Sequence, residues 1–362
     1  MNRLMIVAMA DFVVVGAGIV GASVAYHLAR GGAAVTLVEQ EKEPATGVTG
    51  HSFAWIGDCG GEWPGGAEDL RPHVRADFRR LEAELPGFAV RWTGSLAWTG
   101  GGATPTLYAG QTLVGAEEIA RLEPCLADVP SRAVHTATDG GVEPAAMVAA
   151  LIRGARAHGA RVIFGAEVIS LDPPEGRGVS TTAGHIPAET AVLATGPATA
   201  ALCRPLRVEL PLGISAACLL RVAAPPGLVK TVLAGPHYEV REVRDGELLL
   251  TIPHVAGRSD ESVAAEARRT VQRLAADFDG GSDYRLLSHH VAGRPMPANG
   301  PIVGHVAPDC SAYVAVTHSA ITLAPTLGRL IAEELTTGTP PTELRRCQPQ
   351  LRGDLSRDRG AE

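Results

Sequence analysis

The chain has 362 residues, 46% hydrophobic and 20% charged, with a formal net charge of −7. This supports a large buried core divided among two or three units of ordinary domain size, and it excludes wholesale disorder. The negative balance also argues against a nucleic-acid partner, which requires a basic face. Glycine (42) and proline (26) are scattered without a repeat period, and only Lys42 and Lys230 among the 32 basic residues are lysines, a bias of composition rather than of function.

Six cysteines are widely spread, with no Cys-x-x-Cys pair and no histidine-rich partner motif, so neither a disulfide framework nor a metal site is expected. Met1 to Ala10 holds one Arg and a short apolar patch that Asp11 interrupts. The next uncharged run, Phe12 to Tyr26, is too short to cross a bilayer and carries three glycines. The expectation is a cytoplasmic protein without a membrane partner.

In chain order, Phe12 to Val15 reads as a strand buried on both faces. Gly16-Ala17-Gly18-Ile19-Val20-Gly21 is a turn, helical spacing follows to Gly31-Gly32, and Ala34 to Glu39 is a second strand. Pro44 to Gly66 is irregular and rich in Gly, Thr, Ser and Trp. Asp69 to Glu84 is a charged helix, and alternation from Phe88 to Pro130 indicates half-exposed antiparallel strands.

Glu143-Pro144 opens a helix that Gly159 closes, followed by strands at Arg161 to Phe164 and Ala191 to Ala194. Strands dominate again from Leu210 to His290, with a hairpin at Asp245-Gly246 and one helix near Asp260 to Phe278. A strand at Tyr313 to Val316 and a helix at Leu323 to Leu335 complete the pattern, with Pro325 suited to a first helical turn and Gly328 to close packing. The expected architecture is an α/β Rossmann-like unit (1–87, 135–207 and 291–345) interleaved with an antiparallel-sheet unit (88–134 and 208–290), then a polar tail (346–362).

Three constellations carry chemistry. In the first, Gly16 permits a tight turn, Gly18 admits a pyrophosphate, and Gly21 lets helix pack on strand. The helix N-terminus then presents free N–H groups to the anion. Glu39, 18 positions after Gly21, ends the second strand where its carboxylate can accept ribose hydroxyls and disfavour a 2′-phosphate. The second is Ala194-Thr195-Gly196 after a buried strand. The third joins Gly293-Arg294-Pro295, Asn299 to Gly304, and Thr317 to Pro325, where a helix N-terminus can stabilise an anionic reduced flavin. The first motif alone fits NAD or FAD equally; the repeated departures into antiparallel structure favour FAD.

With these segments and Asp139-Gly140-Gly141-Val142-Glu143-Pro144, the chain resembles the D-amino acid oxidase family of FAD-dependent oxidoreductases over nearly its whole length. The resemblance implies an FAD domain, an antiparallel-sheet substrate domain, and oxidation of the C–N bond of a small amine or amino acid. Hydride passes to flavin and the imine hydrolyses. The implied cofactor residues are Gly16, Gly18, Ile19, Val20, Gly21, Glu39, Gln40, His51, Ser52, Ala194, Thr195, Gly196, Ser319, Ala320, Ile321 and Thr322.

Sarcosine-oxidase-like members tether flavin through a cysteine, but none lies between Cys218 and Cys310 here, so the FAD is expected to be non-covalent, with attachment through His51 as the alternative. Lys230 does not match the lysine that some relatives use with oxygen, which leaves O₂ or another acceptor open. For substrate contact, Arg294 is the expected carboxylate partner, with a structural ion pair as the alternative. His318 is a second cation or a helix-start residue. Tyr238 closes the pocket with its hydroxyl or packs on its strand. His289-His290 reads as strand-edge polarity. An NAD-linked dehydrogenase and a flavin-binding subunit of a larger electron-transfer complex remain as alternatives.

Overall fold

A glycine turn behind a valine-rich strand sets the layout. Strand β1 (Ala10–Val15), helix α1 (Ile19–Arg30) and strand β2 (Val35–Glu39) follow one another as the sequence predicts. In this computed structural model the described residues are 10–57, 63–99, 105–171, 177–253, 255–280, 283–307 and 310–349. Met1 to Met9, Cys59 and positions 350–362 of the expected tail lie outside them.

β1 is central in the first sheet, parallel to β2 on one side and to Gly184–Leu193 on the other. Arg161–Phe164 extends the sheet beyond β2, and Ala312–Val316 beyond Gly184–Leu193. Ile302–His305 closes that edge as an antiparallel strand. Helix α1, Pro144–Ala157 and Ala320–Thr337 share one hydrophobic core. Gly328 allows the final helix to approach α1: a Cβ there would lie 2.2 Å from Ser23 Oγ, which donates to the Ala324 carbonyl at 2.7 Å.

The second sheet is almost wholly antiparallel. Its order is Arg285–Pro297, Leu212–Ala223, Glu247–Ile252, Glu239–Arg244, Val232–Ala234, Ser95–Ala97, Arg132–Thr136 and Thr112–Gly115. The two β-rich excursions of the chain meet at its single parallel pairing, Val232–Ala234 with Ser95–Ala97. Helix Asp260–Asp277 shares a core with one face. The opposite face meets the first unit through Phe53, Leu219, Val232, Val243 and Leu249. Arg241 is buried in that seam at 2% exposure, donating from Nε to the Phe53 carbonyl at 2.6 Å and from Nη2 to that of Val142 at 2.5 Å.

Several elements differ from expectation for identifiable reasons. The charged helix is broken: Ala67–Leu70 and Val74–Glu84 flank a 3₁₀ turn, Arg71–His73, centred on Pro72, which has no N–H to continue an α-helix. Pro325 lies inside the last helix rather than in its first turn. Ser319 is left-handed (φ +56°), so the chain turns into a helix at Ala320, one turn early. The strand Arg285–Pro297 runs past residue 290, placing Gly293-Arg294-Pro295 on the antiparallel sheet. Among the described residues, no helix is long and apolar enough to cross a membrane.

Candidate active site

A cleft of about 910 Å³ opens between the two sheets. The C-terminal ends of β1, β2, Gly184–Leu193 and Ala312–Val316 border it, the position where open parallel sheets take ligands. Its narrow end is made mostly of backbone. Gly16 has φ +100°, and a Cβ there would lie 2.7 Å from the Ala194 carbonyl oxygen. A Cβ on Gly21 would lie 1.9 Å from the Gly16 carbonyl oxygen, so the helix can rest on the turn only as glycine.

Glu39 accepts from the Ala17 N–H at 2.6 Å and the Glu41 N–H at 3.1 Å. A carboxylate has about four lone-pair sites, so acceptor capacity remains toward the cleft. Thr49 Oγ1 accepts the Ile19 N–H at 3.1 Å across 30 positions. Gly18, Ile19, Val20, Gln40, His51, Ser52, Ala194, Thr195 and Gly196 also border the cleft.

The last helix starts at the same cleft. Its first intrahelical bond runs from the Leu323 N–H to the Ser319 carbonyl, which leaves the Ala320, Ile321 and Thr322 amides ahead of the ladder. Thr322 Oγ1 donates to the Trp55 carbonyl at 2.9 Å. Three of the four described non-glycine residues with positive φ, namely Ala45, Ala54 and Ser319, border this space. Such conformations persist where surrounding structure enforces them.

The antiparallel sheet forms the floor. Arg294 donates from Nη2 to Ser215 Oγ at 3.1 Å and from Nε to the Ser215 carbonyl at 3.5 Å. No ion pair engages it among the described residues. His318 lies beside it with Nδ1 3.0 Å from Ser319 Oγ. Burial, then the charges of Arg294 and Arg71, hold the His318 pKa below its ordinary value. His51 stacks on His290 at 3.4 Å between ring centroids and 15° between planes. Burial, the neighbouring His290 and Arg221 lower its pKa, while a hydrogen bond to the Thr46 backbone opposes them.

These residues fit FAD. A sterically enforced glycine cradle, a strand-end carboxylate and two helix N-termini line one elongated cleft. The sequence matches the DAO family, FAD dependent oxidoreductase, over residues 11–334. The chain belongs to this family of enzymes. A glycine oxidase of Bacillus licheniformis is 26% identical over 352 residues, covering 92% of this chain and 95% of that protein. The solved glycine oxidase of Geobacillus kaustophilus superposes with a TM-score of 0.81 at 19% identity, covering 94% of this chain and 98% of its own. L-amino acid deaminase of Proteus vulgaris, with its insertion deleted, gives 0.80 at 18% identity, covering 96% and 95%.

Tyr238 is a correction. Its hydroxyl donates to Asp277 Oδ2 at 2.5 Å, on the helix-covered side of the sheet. Burial and that carboxylate raise its pKa. Successive strand residues face opposite ways, so the cleft receives Glu239 instead. For His318, burial and the neighbouring Arg294 and Arg71 charges work against the second-cation reading. His290 does more than decorate an edge, since it covers His51. Sequence reasoning missed Thr49, Glu239, Thr251 and Arg241; for Thr49 the signal was its place in the Gly- and Thr-rich segment.

Proposed function

We propose that this FAD-dependent oxidoreductase oxidises the C–N bond of an amino acid whose carboxylate is held by Arg294. The observation that carries the reading is a guanidinium on the cleft floor whose recorded bonds all go to Ser215, with no carboxylate partner among the described residues. Arg has five N–H donors in a planar fork, so a bidentate face remains for a carboxylate. The glycine oxidase and L-amino acid deaminase relatives support an amino-acid substrate.

The glycine turn, Thr49 and the α1 N-terminus would hold the pyrophosphate, Glu39 the ribose, and the Ala320 to Thr322 amides the polar edge of the isoalloxazine. FAD held there would supply the acceptor for a hydride from the substrate α-carbon. Arg294 would fix the orientation of that carbon, and His318 beside it offers a hydrogen bond. The apolar seam around Phe53 and Leu219 limits water near the reacting carbon. The imine left by that oxidation would be hydrolysed by water.

The test is anaerobic bleaching of the purified holoprotein by amino acids and by the amines that lack their carboxylate. Amino acids should reduce the flavin far faster. Equal rates would exclude a carboxylate clamp. Acid precipitation should release the flavin, and colour kept in the washed pellet would show a covalent bond.

A further inference from the structure

The cleft floor carries opposite charges at its two ends. Arg294 stands at one end, on the edge strand, paired in register with Ser215. Glu239 stands at the other, reached by the register row His290, Leu219, Thr251 and Glu239. The two positions are thus three strands apart sideways and four residues apart lengthwise. At ordinary sheet spacings their Cα atoms are roughly 19 Å apart, and each side chain leans toward the other, Arg294 onto Ser215 and Glu239 onto Thr251 of the neighbouring strands. Ala292, Ala217 and Leu219 border the floor between them.

Glu239 is half-buried, borders the cleft, and accepts one recorded hydrogen bond, from Thr251 Oγ1 at 2.8 Å. The other acids of its hairpin are occupied. Glu242 takes Arg91 and the Gly227 and Gly246 amides, and Glu247 takes Arg221 and Arg244. Glu239 pairs with no cation among the described residues. A carboxylate on the cleft wall that no cation neutralises attracts a cation and repels another anion.

We propose that Glu239, assisted by Thr251, is the side-chain specificity site, and that the preferred substrates are amino acids whose side chain ends in a cation. The substrate carboxylate sits on Arg294, its methylenes cross Ala217 and Leu219, and its distal cation reaches Glu239. This rests on the reading of Arg294 as the carboxylate clamp.

The test compares anaerobic flavin reduction of the holoenzyme by lysine, ornithine, norleucine and glutamate, each as both enantiomers. Wild type should favour lysine or ornithine over norleucine by about tenfold or more in kcat/KM. Glu239→Gln should bring that ratio near one, and Glu239→Lys should turn the preference toward glutamate. Calorimetric binding of 6-(trimethylammonio)hexanoate against 7,7-dimethyloctanoate gives a second readout, since a quaternary nitrogen cannot become an imine. Wild type should bind the cation about tenfold more tightly, and Glu239→Gln should lose the difference.

Norleucine reducing the wild-type flavin as well as the basic amino acids would overturn the proposal, even if the Glu239 variants failed to fold. If oxidation depends on Arg294 but shows no cation preference, only the Glu239 assignment falls. If no amino acid reduces the flavin, or if Arg294→Ala harms amino acids and their decarboxylated amines equally, the Arg294 reading falls and this one with it.

Discussion

The two ends of the cleft are built by different means. At the dinucleotide end, recognition belongs to backbone: a left-handed glycine, free amides at helix starts, and a carboxylate bonded to Ala17 and Glu41. At the proposed substrate end it would belong to side chains on an antiparallel sheet, where Arg294 and Glu239 stand on strands distant in sequence. The first end tolerates little change because an added atom meets main chain. The second can be rewritten one residue at a time while the sheet keeps its register. A constant cofactor and an adjustable substrate can therefore share one cavity.

The largest expected effect falls on the backbone end. Gly21→Val places a side chain against the Gly16 carbonyl, at a cost on the order of 4 kcal/mol or more. The purified protein should lack flavin absorbance and melt earlier; a fully yellow variant would show that the cradle does not need that packing. Arg294→Ala should leave the flavin in place yet lower kcat/KM for an amino acid by about 2–5 kcal/mol in transition-state terms. Arg294→Lys should recover part of the loss, because a point charge cannot reproduce the fork.

Glu39→Ala should weaken FAD binding by roughly 1.5–3 kcal/mol for each charge-assisted bond lost, measured by reconstituting the apoprotein. The lysine-to-norleucine ratio should not move, and a change would mean that the two ends are coupled. The last effect concerns acid. His27 on α1 is buried, with Nδ1 2.8 Å from the Ser23 carbonyl and Nε2 3.1 Å from Arg80 Nη2. Burial, with the Arg80 charge adding to it, depresses its pKa from 6.5 to about 3. The unfolded chain then binds more protons between those values. Stability from this residue is complete above the unfolded value and falls as pH drops, by at most about 1.4 kcal/mol per pH unit. His27→Gln should flatten the melting temperature between pH 6 and pH 4; an unchanged slope would place the acid sensitivity elsewhere.

Local physics made the backbone end legible in the sequence. Gly16, Gly21 and Glu39 act within one strand-turn-helix-strand unit, so their spacing contains most of the geometry. Thr49 was harder, because its bond to Ile19 depends on how a loop folds back across 30 positions. On the sheet, a single step of phase decides function: Tyr238 and Glu239 are neighbours, yet one meets Asp277 and the other the cleft. Giving Tyr238's hydroxyl to the pocket picks the wrong one of the pair, since Asp277 holds it. Pro325 misled about the helix start because nothing in a serine announces the left-handed turn at Ser319.

Arg241 has a consequence for how the cofactor comes and goes. Its guanidinium joins strand Glu239–Arg244 to the carbonyls of Phe53, on the loop bordering the cleft, and of Val142. That loop cannot lift alone: moving it strips the Phe53 bond from a buried cation or carries the strand with it. If the dinucleotide passes this loop, its exchange rate should report the rigidity of the seam.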